Sequence, residues 1–361
     1  FCGDALFFSF ARGIPSNFNV FARVLRDISQ SFFMPLFFFI SGYFTPTSFN
    51  RKGRYVFYLN KAKRLFFPLV LETTLFFPLA ILMSQAISGL PLRYRLNPGP
   101  CWFLIWLLTM NFFYDTIRTP FRSDSNNKQI RAHFPTTYTR LLFGIIICGI
   151  PTYIINEIVL KGHKIYFGMP LTIGSLTCNI FMFNVGVIAY ENRWLESSIR
   201  KQLDIPVWML RLVTLVESCV LCALRGVMKE NALLNFLFFA VSGILCLDMS
   251  LCLLQLFQEN CNLHTCLSKK LTSASYTVYI VHFPLVIAGT SAFVHLYNHI
   301  VPTENNILFP DSPVSSSTLI GYDNGGIIQG CGWLVVNFVI HSLIWPLSSA
   351  IKKNAVLGIF L

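Results

Sequence analysis

Stretches of about twenty mostly apolar residues recur along this chain, and its lysines and arginines gather in the segments between them. Nine candidate spans follow, at roughly 29–45, 66–88, 101–117, 141–160, 168–190, 206–224, 232–256, 272–294 and 327–350. Hydrocarbon offers no partner to a bare backbone N–H or C=O, so only helices and closed barrels cross it, and apolar runs of this length are helices. Composition agrees. Charged residues are 12% of the 361, about half the soluble-domain average of roughly 25%, and 54% are hydrophobic. The expected fold is all-α: a polytopic transmembrane bundle forming one integral-membrane domain over residues 1–361, without an internal repeat.

The formal charge of +12 does not point to nucleic acid, because no basic stripe interleaves with aromatics in a soluble segment. It follows the positive-inside bias instead. Alternate loops carry Arg51 to Arg64, then Arg118 to Arg140, then Arg193, Arg200 and Lys201, then Lys269 and Lys270, then Lys352 and Lys353. The intervening loops are poorer: Arg93 and Arg95, Lys161 and Lys164, Arg225 and Lys229, and none between His295 and Gly326. The first set is therefore expected in the cytoplasm, with the C-terminus inside and Phe1 outside. Six of the 11 cysteines, Cys148, Cys178, Cys219, Cys222, Cys246 and Cys252, lie in apolar runs, where a thiol packs as a small hydrophobe. Cys261, His264 and Cys266 offer only three ligands, so no metal site is expected.

Several short motifs occur in a set order. Met34-Pro35-Leu36-Phe37-Phe38 leads into Ser41-Gly42-Tyr43-Phe44, and Lys61-Ala62-Lys63-Arg64-Leu65 ends at Pro68. Gly99-Pro100-Cys101-Trp102-Phe103-Leu104 opens a span. Phe183-Asn184-Val185-Gly186 continues to Ala189-Tyr190 and Trp194-Leu195. Ser273, Ser275-Tyr276, Tyr279 and His282 punctuate a late span. In wording and order these segments resemble the membrane-bound acyltransferase 3 family, closest in flavour to its glucan-modifying, succinyl-transferring branch.

The resemblance implies an O-acyltransferase that moves an acyl group from a cytoplasmic acyl-CoA to a hydroxyl of a carbohydrate or lipid. Acyl-CoA is a co-substrate, and no bound cofactor is implied. The family's best-known catalytic group is a histidine paired with an arginine in its first span. Residues 1–100 hold no histidine, so that span and the main base are expected upstream of Phe1. Other readings are a transporter or flippase-like protein, whose signature would be inverted repeats, and an inactive family member.

The match carries Lys61 and Arg64 over as the donor-binding pair, able to grip phosphates by charge-assisted hydrogen bonds; the alternative is cations that only anchor a span. Ser275, Tyr279 and His282 stand four and three residues apart and share a helical face, with His282 in a supporting catalytic role or as a bundle-fastening hydrogen bond. Tyr276, Trp102 and Ser41 are cavity candidates, and Ser41-Gly42 also suits close helix packing. Glu72 and Asp248 are acids inside spans, functional by default, while Arg211 and Glu217 read as lying near span ends. The loop from His295 to Gly326 is read as either a cover over an acceptor-binding mouth or a connector.

Overall fold

The computed structural model describes residues 17–87, 91–94, 96, 99–122, 133–159, 173–227, 231–261, 265–300 and 322–353. Among the described residues every regular element is helical. In chain order these are α1 (Asn17–Lys52), α2 (Arg54–Ile87), α3 (Trp102–Arg122), α4 (Thr137–Glu157), α5 (Ile173–Glu191), α6 (Ile199–Gln202), α7 (Val207–Val227), α8 (Ala232–Asn260), α9 (Cys266–Ile300) and α10 (Tyr322–Lys353). Seven of these, α1, α2, α4, α7, α8, α9 and α10, contain a stretch long and apolar enough to cross a membrane. They correspond to seven of the nine anticipated spans. The other two, 101–117 and 168–190, fall on α3 and α5, whose apolar stretch over Leu176–Glu191 is shorter. Residues 301–321 of the proline-containing loop, and His264 beside Cys261 and Cys266, lie outside the described residues.

Prolines shape α2 and α4. A helical proline lacks the N–H for the carbonyl four residues back and crowds it. Pro68, Pro78 and Pro151 each follow, by two residues, a wider π-helical turn: Ala62–Phe66, Glu72–Phe76 and Gly144–Gly149. The wide turn makes room for the ring and is the usual way to keep a helix continuous through such a defect. At the second turn the carbonyl released by Pro78 is that of Thr74, and the Tyr94 hydroxyl donates to it at 2.6 Å.

The chain forms two compact units. In the first, Phe66–Trp102 joins the segment from His264 onward, together with residues up to Arg26. Here α9 packs on α10 and on the second half of α2. Val286, Val336 and Ile340 are buried together against Leu285, Phe293 and Trp333. Gly332 leaves the space that the Phe293 ring fills, since a Cβ there would lie 2.3 Å from it. Phe77 stacks on Phe283 with centroids 5.5 Å apart, and the Ser291 hydroxyl donates to that of Ser84 at 2.9 Å.

The second unit, Asp27–Leu65 with Phe103–Leu263, is held by small residues. A Cβ on Gly42 would stand 2.1 Å from the Phe183 carbonyl oxygen, and one on Gly186 would stand 2.1 Å from that of Phe39. The two glycines thus let α1 and α5 touch backbone to backbone, the packing that serves membrane helices where no hydrophobic drive exists between them. Gly144, Gly149 and Gly243 do the same for α4 and α8. Around these contacts Phe39, Cys148, Cys178, Met182, Ala189 and Cys246 form the core. Cys178 and Cys246 meet at 3.2 Å between sulfurs as packed free thiols, in keeping with the sequence reading.

Gly186→Val should therefore force α1 and α5 apart. An overpacked core typically loses about 1–3 kcal/mol. Thermal unfolding in detergent should show a lower Tm for Gly186→Val, whereas Gly226→Ala, with open space around its Cβ position, should match the parent.

Candidate functional site

Charges inside the bundle separate into those that hold it together and those left over. In the second unit Arg140 and Asp248 are both nearly inaccessible, and Arg140 Nε donates to Asp248 Oδ1. Its Nη1 donates to the Pro135 carbonyl at 3.0 Å, its Nη2 to the Thr137 hydroxyl at 3.1 Å, and Asp204 lies 3.6 Å away. Breaking such a pair costs about 3–5 kcal/mol because a bare charge stays behind, so this contact locks α4 to α8. Asp248 is therefore a structural acid. Glu217, read from sequence as lying near a span end, sits in the middle of α7 beside Asp248. Arg211 is one turn into α7 and donates to Gln255 Oε1 at 3.3 Å. Asp115, which the sequence reading missed, is buried in α3, where it accepts from Arg54 Nε and from the Tyr58 hydroxyl, both at 2.8 Å.

The proposed donor pair lies in the second unit. Gly53, at φ +73° in the left-handed region favoured by glycine, breaks α1 from α2. Lys61 ends the first stretch of α2, half-buried, with Nζ 5.3 Å from the centre of the Phe57 ring. Arg64 lies exposed on the following π turn. Lys52 and Arg64 are both close enough to act electrostatically on Lys61. Three cations thus converge where α1 ends and α2 begins, and Lys52 is the member that the motif did not supply. Ser41 is half-buried, and its carbonyl accepts from the Thr45 hydroxyl at 2.7 Å.

The remaining predicted residues lie in the first unit, which also holds a buried acid without a hydrogen-bond partner among the described residues. Glu72 opens the second π turn of α2 and is fully buried, and neither of its carboxylate oxygens has a hydrogen-bond partner among the described residues. Gly99, at φ +51°, brings the Gly99–Cys101 turn against it: a Cβ there would lie 3.4 Å from Glu72 Oε1 and 2.7 Å from the Phe77 ring. That fit explains the glycine that opens the Gly-Pro-Cys-Trp motif. Cys101 is buried beside Glu72, and half-buried Trp102 starts α3 next to it.

Tyr279 on α9 lies within electrostatic reach of Cys101, Glu72 and Tyr276. Its ring stands 5.4 Å from that of His282, centre to centre. The anticipated stripe thus closes up at Tyr279 and His282. Ser275 is exposed, with its hydroxyl turned back to the Thr272 carbonyl at 2.9 Å.

His282 is half-buried, and Nδ1 is hydrogen-bonded to the Tyr279 carbonyl oxygen. A carbonyl only accepts, so Nδ1 carries the proton and the neutral ring's lone pair is on Nε2. A histidine fixed in this tautomer can take a proton at Nε2. The Tyr279 ring lies beside it, and Glu72, a buried acid, lies within electrostatic reach of Tyr279. Among the described residues no group of three or more His, Cys, Asp and Glu side chains is placed to hold a metal ion.

A family model described as an acyltransferase domain, acyltransferase 3, matches residues 3–314. No curated protein and no solved structure matches the chain.

Asp204 offers a test outside the spans. Its partial burial opposes ionisation, yet the Thr137 N–H at 2.6 Å, the Thr137 hydroxyl at 3.0 Å and nearby Arg140 outweigh this and hold its carboxyl below the usual aspartate range. Unfolded, it titrates near about 3.9. A depressed folded value means that its contribution is complete above that range and disappears as pH falls through the lower folded value. Asp204→Asn should lower Tm by a constant margin from pH 5 to 8 (~1 kcal/mol or less for so exposed a group), and the margin should shrink below about pH 4. Scanning calorimetry of both proteins across pH reads this directly.

Proposed function

The chain belongs to the acyltransferase 3 family and is an integral, multi-pass membrane acyltransferase, and we propose that it transfers the acyl group of a cytoplasmic acyl-CoA to a hydroxyl of a carbohydrate or lipid acceptor. The observation that carries this reading is His282, held with Nδ1 on the Tyr279 carbonyl and Nε2 free of its own helix backbone. We assign the base to His282, to which the motif match alone gave only a supporting role: the acceptor hydroxyl gives its proton to Nε2 as its oxygen attacks the thioester carbonyl. The Tyr276 and Tyr279 hydroxyls are suited to donate to the oxygen that becomes negative. Collapse of the intermediate breaks the C–S bond, and the proton on His282 passes to the departing thiolate.

Lys61 and Arg64, joined by Lys52, hold the phosphates of coenzyme A. Three cations near one another repel, and an anionic ligand relieves that repulsion. The alternation of Lys and Arg among the loops supports a cytoplasmic position for this cluster and for the C-terminus.

Acyl transfer from radiolabelled acyl-CoA to isolated glycans and lipids tests the reading. His282→Ala should lower kcat by about 10²–10⁴-fold, the usual worth of a positioned base, with the KM for acyl-CoA little changed. If kcat is kept and only the acceptor KM rises, His282 positions the acceptor and another group is the base.

Arg64→Ala should act the other way, raising the KM for acyl-CoA roughly tenfold or more, as a lost charged hydrogen bond does, while membrane insertion stays normal. Arg64→Lys should recover only part of the loss, because an ammonium lacks the two-pronged guanidinium geometry. An unchanged KM in a normally inserted Arg64→Ala protein would remove the phosphate clamp.

A further inference from the structure

In the second unit α7 and α8 pack on each other. Leu221 on α7 is buried in one cluster with Leu245 on α8, and Leu210 in another with Leu251. Arg211 donates to Gln255, and Thr214 lies beside Cys252. These pairs run antiparallel, and their register sets Glu217 opposite Asp248, midway along the seam. Glu217 is half-buried, one turn from buried Thr214 and from buried Leu221.

The seam thus holds two carboxyls where the neighbouring cations can satisfy one. Arg140 Nε donates to Asp248 Oδ1, and Asp204 lies 3.6 Å from the same guanidinium. One positive charge already faces two acids. The cations of α7 itself are engaged elsewhere, Arg211 with Gln255 and Arg225 with Asp27 at 3.0 Å. A Glu217 carboxylate would be a third negative charge around Arg140, and adjoining carboxyls away from water do not both ionise.

Two orphaned atoms show where the compensating proton belongs. Glu217 Oε2 and Asp248 Oδ2 are both buried, and neither has a hydrogen-bond partner among the described residues. An ionised carboxylate only accepts, whereas a protonated one also donates. A proton on Glu217 Oε2 directed at Asp248 Oδ2 satisfies both atoms and leaves the Arg140–Asp248 contact intact. A metal ion suits the pair less. Hard cations take about six or more oxygens, the adjacent guanidinium repels them, and among the described residues no larger acidic group is placed to hold one.

We propose that Glu217 and Asp248 form a binding site for a single proton, held between Glu217 Oε2 and Asp248 Oδ2, and that its release loosens α7 from α8. Without the proton, two negative charges adjoin where a hydrogen bond had been. Glu217 is the exchanging member, since it is half-buried and stands next to exposed Val216 and Val220, whereas Asp248 is 1% exposed. The site is independent of the acyl transfer assigned to His282.

Infrared spectroscopy of the full chain in an ester-free detergent tests this, because a protonated carboxyl absorbs apart from carboxylates and amides and shifts in D2O. Subtracting the spectrum of Glu217→Gln from that of the parent should leave one such band, and raising the pH should abolish it. Gln keeps the shape and donates to Asp248 with no proton to lose. Glu217→Met, equally unable to titrate, is the second variant should the first fail to fold. Amide hydrogen exchange over 207–227, read against the same variant at each pH, should rise at least about threefold in the parent as the band disappears. A parent and a folded variant with the same carboxyl bands overturn the shared proton. A band that persists to the highest pH at which the chain stays folded, or exchange that ignores its loss, overturns the release of α7.

Discussion

Hydrocarbon supplies neither hydrogen bonds nor counter-charges, and most of this structure can be understood as a response to that. The backbone satisfies itself by staying helical. Where prolines remove donors within α2 and α4, a π turn absorbs the defect two residues earlier, and at Thr74 a tyrosine from outside the helix supplies the missing proton. Side-chain charges obey the same rule. Arg140 and Asp248 meet inside the bundle because neither could stay there alone, and buried Asp115 is met by exposed Arg54 and by the Tyr58 hydroxyl. Their pairing is weak evidence of net stabilisation, since two desolvation costs set against one attraction often cancel. Its firmer effect is registry, because only one sliding position of α4 against α8 brings Arg140 to Asp248.

Glu72 stands apart for the same reason. A carboxyl at full burial, without a hydrogen-bonding partner among the described residues, is a cost that the fold does not recover through packing. It opens a π turn, a feature often found at functional sites, and it faces the Gly99–Cys101 turn and Tyr279.

The sequence made a good part of this legible. Apolar length and the clustering of Lys and Arg located the spans, because span length is set by bilayer thickness and needs no knowledge of neighbours. Seven of the nine segments lie on helices with that length and hydropathy. The motif around Tyr276, Tyr279 and His282 was readable because three- and four-residue spacings on one helix already fix which side chains adjoin. Ser275 shows the limit: the same spacing put it on the face, yet its hydroxyl turns back to Thr272 and stays exposed. Glu217 was read as lying near a span end although the anticipated span 206–224 already enclosed it, and the helix extends ten residues on either side of it.

By itself, then, the sequence determined that the chain is a helical membrane protein, which residues share a turn, and, through its motifs, a resemblance to a family. The tertiary structure decided which distant groups meet. Arg140 and Asp248 are 108 residues apart, Tyr58 and Asp115 are 57 apart, and no local pattern encodes either contact. It also decided that Gly42 and Gly186 serve one helix crossing and that Lys52 completes the group of Lys61 and Arg64. The physical reason is range. Periodicity and hydropathy are properties of consecutive residues, whereas pairing, close approach and empty space arise only once helices far apart in the chain have packed.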